Sequence, residues 1–133
     1  MVVRTELSNA CATKKNFCRN CNSEFAAIRP SIKEVIISKH FMRDFKDKNR
    51  MSAVINGILD CSSLEFSELH KFEGRIDGTL IFRAKKDDLH MLYCVDKKMR
   101  IVFLRAIGNF TEYKRFLDDK KELRRIVEEL NRI

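Results

Sequence analysis

LIFRAKKDDLHMLYCVDKKMRIVFLRAIGNF, residues 80–110, decides how this chain is read. It belongs to three apolar runs, about Thr79 to Lys85, Leu89 to Asp96 and Met99 to Ile107, joined by the short links Lys86-Asp87 and Lys97-Lys98. Links of that length join antiparallel neighbours, because a parallel return needs a crossover of roughly a dozen residues or more. Gly108-Asn109 stops the third run. With two-residue loops, Lys85 faces Asp88 and Asp96 faces Met99, so Arg83 faces His90 and His90 faces Arg105. Side chains alternate along a strand, which puts Arg83, Lys85, His90 and Arg105 on one face of the sheet. At its other end that face carries Ile81, Leu92, Cys94, Ile101 and Phe103, which need cover. The opposite face is Leu80, Phe82, Ala84, Leu89, Met91, Tyr93, Val95, Val102, Leu104 and Ala106, and must pack on helices. Cations set directly opposite one another repel, and an anion relieves them. A solvated face is the competing reading, and a one-residue slip of register destroys the row.

Working outward, Glu34 to Ser38 reads as a strand. Phe41, Met42 and Phe45 recur at helical spacing between Lys39 and Lys48. Met51, Val54, Ile55, Ile58 and Leu59 do so between Arg50 and Cys61, so the break at Asp47-Lys48-Asn49 predicts a helical hairpin. Ser62-Ser63 ends it, and a polar link with Gly74 and Gly78 follows. Beyond the third run a helix is expected from about Thr111 to Arg132, with Tyr113, Phe116, Leu117, Leu123, Val127 and Leu130 as its apolar stripe. The order is strand, helical hairpin, three-stranded antiparallel meander and long C-terminal helix. That is an α+β domain with helices packed on the sheet. It is assigned to residues 31–133. Residues 1–30 lack a sustained period and end at Pro30. They read as an N-terminal extension, poorly ordered or docked, that adds little to stability.

The chain has 133 residues, enough for one core, with Lys+Arg 27 against Asp+Glu 19 and a net charge of +8. That balance favours a polyanion or an acidic protein as partner. No apolar run approaches the roughly 20 residues of a membrane helix. The first residues show no apolar signal region, and an odd set of five Cys suits reduced thiols, so a cytoplasmic location is expected. Cys11, Cys18 and Cys21 include one C-x-x-C. They allow a zinc site only if Cys61, Cys94 or a His completes the ligands, and a site without metal is the first expectation. His40 and His70 read as surface residues. There is no Gly-rich phosphate loop and no Ser-His-Asp order.

Three pieces of the chain carry a resemblance. Leu69-His70-Lys71-Phe72-Glu73-Gly74 is similar to the leucine-lysine-glycine turn before the second strand of the RelE/ParE toxin superfamily. LHMLYCVD, residues 89–96, resembles its tyrosine-rich strand, and IVFLRAIGNFTEY, residues 101–113, resembles its final strand, glycine and tail ending in Tyr. The resemblance spans about residues 33–113. It implies the toxin of a type II toxin–antitoxin pair, which enters the ribosome and cuts mRNA without a metal or cofactor. The 2′-hydroxyl attacks the neighbouring phosphate, cations steady the charge on phosphorus, and a proton reaches the 5′-oxygen. It places Arg83, His90 and Tyr113 in catalytic positions; the cationic face adds Lys85 and Arg105 as contacts to RNA, and Phe110 is expected to stack on a base. It also implies an acidic RelB-like antitoxin as partner. Ile81 stands where the family has a Lys, and Asn109-Phe110 where it has a basic residue. A gyrase-directed relative and an inactive protein-binding module therefore stay open.

Overall fold

The computed structural model describes residues 23–61 and 65–132. At its centre is a five-stranded mixed sheet in the order β1 (Glu34–Ile37), β5 (Arg100–Ile107), β4 (Leu89–Val95), β3 (Thr79–Lys86) and β2 (Glu68–Ile76). β1 runs parallel to β5, and every other pair is antiparallel. The α+β class agrees with the reading above, but the meander has an additional strand. The segment taken for a polar link is β2. Two register shifts interrupt it, between Glu68 and Lys71 and between Phe72 and Gly74, so it shows no period of two to read. Its turn was legible: Asp77-Gly78, both at positive φ, closes a two-residue hairpin between Ile76 and Thr79.

Helices cover both faces. α1 (Ser23–Ile28), α2 (Lys39–Asp44) and α3 (Lys48–Leu59) pack on one face, where Phe41, Val54 and Ile58 meet Phe82, Tyr93 and Phe103. α4 (Phe110–Asp118) and α5 (Lys120–Asn131) pack on the other, where Tyr113, Leu117, Leu123 and Leu130 meet Ile81, Leu92, Cys94 and Val102. The single C-terminal helix expected from Thr111 to Arg132 is thus two helices. Asp119 leaves helical geometry and its carboxylate accepts from the Glu122 backbone N–H at 3.1 Å. Asp followed three residues later by Glu is a capping pattern, and the cap outcompetes continuation of the helix. Buried Arg100, paired with Asp96, donates to the Leu130 carbonyl at 2.9 Å and ties the end of α5 to the sheet.

The register differs from the expected one at three places. The β3–β4 loop is Asp87-Asp88 rather than Lys86-Asp87, because Asp87 takes φ +54 and Asp tolerates left-handed backbone better than Lys. The β4–β5 loop gains a residue, since Asp96 bonds to Arg100 and Met99 sits at φ +58. Leu104 is then left over in β5, between the pairs Leu92–Arg105 and Tyr93–Phe103. The first β5 insertion exchanges faces, sending Ile101 and Phe103 to the α1–α3 side and Val102 and Leu104 to the α4–α5 side. The bulge restores the phase, so Arg105 returns to the face of Arg83, Lys85 and His90. The direct row is corrected as well: Lys85 faces His90, while Arg83 and Arg105 each face Leu92.

Of the 1–30 extension, residues 1–22 lie outside the described residues. The remainder is docked. Phe25 is fully buried, stacked on His70 at 3.5 Å and set edge-on to Phe82. His70 is itself fully buried, contrary to its expected surface place. The first bulge of β2 gives it φ +53 and turns its ring inward. There Nδ1 lies 2.6 Å from the Tyr93 hydroxyl oxygen, and Nε2 lies 3.5 Å from Cys61 Sγ. His40 is exposed.

Candidate functional site

The cationic end of the α4–α5 face opens as a cleft of about 520 Å³, lined by Glu68, Arg83, Lys85, Asp88, His90 and the segment Gly108 to Thr111. β3 supplies Arg83 and Lys85, β4 supplies His90, and the start of α4 supplies Phe110. Gly108 ends β5, and the Asn109 side chain caps α4 by accepting from the Glu112 N–H at 3.1 Å. That cap fixes where α4 begins, and so holds Phe110 at the rim, 49% exposed. The chain departs here from the basic residue of the toxin pattern, and an aromatic ring takes its place.

At the cleft the rings form a cluster. His90 lies 5.4 Å from Phe110 and 5.0 Å from Tyr113, and those two rings are 6.3 Å apart, so the three close into a triangle. The Arg83 guanidinium sits over the Tyr113 ring, 5.5 Å from its centroid. Arg83, His90 and Tyr113 are therefore brought together, with Lys85 directly across from His90. Arg105 is not part of this group. α2 ends beside it, and Asp44 accepts from its Nε at 2.8 Å and from the Ala106 N–H at 2.8 Å. Its guanidinium lies over Phe116 rather than in the cleft.

Burial sets the electrostatics. Arg83 is 8% exposed and forms ion pairs with Glu68 and, at 3.9 Å, with Glu73. The partly exposed Arg83 that the strand pattern implies is corrected to a covered one. Both carboxylates come from β2, the strand the sequence reading passed over. Burial lowers the His90 pKa below the ordinary histidine value, and the charges of Arg83 and Lys85 lower it further. The imidazole is neutral at pH 7 in the free protein. Tyr113 is fully buried, and burial with the Glu73 charge pushes its hydroxyl far above the ordinary phenol range. It stays protonated at any physiological pH, so it serves as a hydrogen-bond donor and a platform rather than as a base.

Arg83 Nε, His90 Nδ1 and Tyr113 Oη are buried and have no hydrogen-bond partner. Buried polar atoms are nearly always paired, so three together make this a candidate place for a ligand. Glu68, Glu73, Asp88 and Asn109 are the site residues that sequence reasoning missed. The available signals were the Asp77-Gly78 hairpin, which would have placed the two glutamates on a strand, and the capping spacing of Asn109 and Glu112.

Cys11, Cys18 and Cys21 lie outside the described residues, and among the described residues no group of three or more His, Cys, Asp or Glu side chains could hold a metal ion. No helix among them is long and apolar enough to cross a membrane. No family model, no curated protein and no solved structure matches this chain.

Proposed function

We propose that the protein is a RelE-like toxin acting in the cytoplasm as a ribosome-dependent mRNA endoribonuclease, held in check by an acidic antitoxin. The observation that carries the reading is an open cleft lined by Arg83, Lys85, His90 and the exposed ring of Phe110, with the buried Arg83 Nε, His90 Nδ1 and Tyr113 Oη clustered behind it. A scissile phosphate fits this set. Arg83 and Lys85 neutralise the phosphoryl oxygens, and the buried Tyr113 ring backs the Arg83 guanidinium. Neutral His90, which lines the cleft, accepts the proton of the attacking 2′-hydroxyl. The 2′-oxygen bonds to phosphorus, the P–O5′ bond breaks, and the leaving oxygen takes its proton from water or the ribosome. RNA is required because only RNA carries that hydroxyl. Phe110 stacks on a neighbouring base.

Glu68 occupies the place of an anion at Arg83. Its side chain is 40% exposed, so it can swing out when phosphate enters. The same pairing favours a second reading. With Arg83 held by Glu68 and Glu73 and Arg105 held by Asp44, the face is less cationic than its residue types suggest. A relative that inhibits gyrase by contact, or a catalytically inactive binding module, accommodates that neutralised face. Induction of the chain in cells, with primer-extension mapping of mRNA ends, separates them. New 5′ ends in translated regions, lost in His90→Gln, support the nuclease. Growth arrest with intact mRNA supports the contact inhibitor.

A further inference from the structure

We propose that Asp88 makes the cleft selective for guanine, accepting from the Watson–Crick edge of a base stacked on Phe110; this rests on the reading of the cleft as an RNA site. One carboxylate there has no task within the fold. Of the two turn residues between β3 and β4, Asp87 carries the left-handed φ of +54, and Asp88 alone of the pair lines the cleft. The other carboxylate and the amide on that lining are committed. Glu68 pairs with Arg83, and the Asn109 side chain caps α4. Among the described residues the exposed Asp88 side chain has neither an ion pair nor a hydrogen bond.

In a site that bound phosphate by charge alone, this residue would be a cost. Its charge acts on His90 against those of Arg83 and Lys85, and it repels any phosphate drawn to them. A base edge is a different neighbour. Asp88 lies two residues before His90, about 6.5–7 Å along at strand spacing and on the same side by alternation. The His90 ring is 5.4 Å from that of Phe110. A base stacked on Phe110 beside His90 can turn its edge to Asp88 while its phosphate lies at Arg83 and Lys85.

The chemistry of the carboxylate selects the base. An ionised carboxylate only accepts, through two oxygens side by side. Guanine alone among the RNA bases sets two donors side by side on its Watson–Crick edge, N1–H and the N2 amine. Both oxygens are then met in a bidentate, charge-assisted pair. Adenine and cytosine set a ring acceptor beside their amine, and uracil flanks its single N3–H with carbonyls. Each of these turns a lone pair toward one carboxylate oxygen, and the mismatch is penalised. Single-stranded RNA offers this edge once a base is splayed out on an aromatic ring.

The test measures binding of the full chain to short oligouridine strands whose central base is varied, by fluorescence anisotropy at low salt. Central guanine is expected to bind about 10- to 100-fold tighter than central adenine, cytosine or uracil. Inosine, which keeps N1–H and lacks the amine, should fall between. 2-Aminopurine, which keeps the amine and makes N1 an acceptor, should lose most of the preference. Asp88→Asn keeps the turn chemistry but sets a donor beside an acceptor, so the guanine preference should collapse, with circular dichroism reporting that the variant is folded. The all-uridine strand should bind it slightly more tightly, because a negative charge is gone. Equal binding of the wild type to every strand, binding to none, or a guanine preference that survives in Asp88→Asn overturns the proposal. The nuclease reading fails separately. New mRNA ends in cells with no guanine bias sink the selectivity and leave the toxin standing, whereas guanine selectivity in a protein that never cuts mRNA does the reverse.

Discussion

Arg83→Ala tests the site and the fold in one experiment, because the guanidinium answers to both. An exposed arginine would cost under about 1 kcal/mol to remove. Arg83 is instead 8% exposed, and removing it strands Glu68, at 40% side-chain exposure, and Glu73, at 14%. A surface pair contributes about 0–1 kcal/mol, while breaking a fully buried pair costs about 3–5 kcal/mol. Glu68 can rehydrate and Glu73 largely cannot, which puts the loss near 1.5–3 kcal/mol, including about 0.5–1 kcal/mol for the cation over Tyr113. At roughly 3–5 °C per kcal/mol for a domain of this size, the thermal midpoint should fall by about 5–15 °C. The triple variant Arg83→Ala, Glu68→Gln, Glu73→Gln should recover much of the loss, since the stranded charges are gone. Cleavage of ribosome-bound mRNA should fall by about 10²–10³ in both variants, because the recovered stability restores no phosphate ligand. A midpoint shift under about 2 °C for Arg83→Ala refutes the buried-pair argument. Wild-type cleavage by the triple variant refutes the role of Arg83 at phosphorus.

The other expectations are narrower. His90→Gln should lower cleavage by about 10²–10⁴ while leaving RNA binding nearly unchanged, and loss of binding instead would make His90 a mere contact. The depressed His90 pKa also has a stability sign: the unfolded chain takes up the proton first, so this contribution is full above about pH 6.5 and fades as the pH falls through the folded value. Thermal midpoints measured from pH 7.5 to 5 should therefore decline less steeply in His90→Gln than in the wild type, and parallel curves would contradict the assigned environment. Phe110→Ala, at a 49% exposed position, should leave the midpoint within about 2 °C, but weaken single-stranded RNA binding by about 1–3 kcal/mol if a base stacks there. Glu68→Gln should tighten that binding by freeing Arg83, and weaker binding would show that Glu68 positions Arg83 rather than competing for it. Phe25→Ala should cost about 3–5 kcal/mol in chemical unfolding, the value of a fully buried Phe, and a loss under about 1 kcal/mol would mean that the α1 contact is dispensable.

Periodicity made the broad layout legible. The apolar spacing of Met51, Val54, Ile55, Ile58 and Leu59 belongs to α3, and the three runs after Thr79 became β3, β4 and β5. Where local rules and packing agree, sequence suffices, and both alternation and helical spacing are local. The grouping of Arg83, Lys85 and His90 on one face was also readable, because moving the β3–β4 turn by one residue shifts the pairing by two and preserves the face. Local capping chemistry at Asp119 and the Asp77-Gly78 turn were equally present in the sequence, though outweighed by the apolar stripe and by the broken period of β2.

Other features had no local signal. The insertion before Arg100 and the bulge at Leu104 are single-residue events, whose position follows from which face of β5 fits each core and from the Ser38 hydroxyl that binds the Leu104 carbonyl at 3.0 Å. The neutralisation of Arg83 by Glu68 and Glu73, of Arg105 by Asp44, and the burial of His70 between Phe25, Tyr93 and Cys61 join residues distant in the chain. Charge and residue type are properties of a sequence, whereas exposure, pairing and pKa depend on what long-range packing places within a few ångströms. The sequence by itself therefore determined that Arg83, Lys85 and His90 share the cationic face. Only the tertiary structure decided which of those charges remain available to a phosphate.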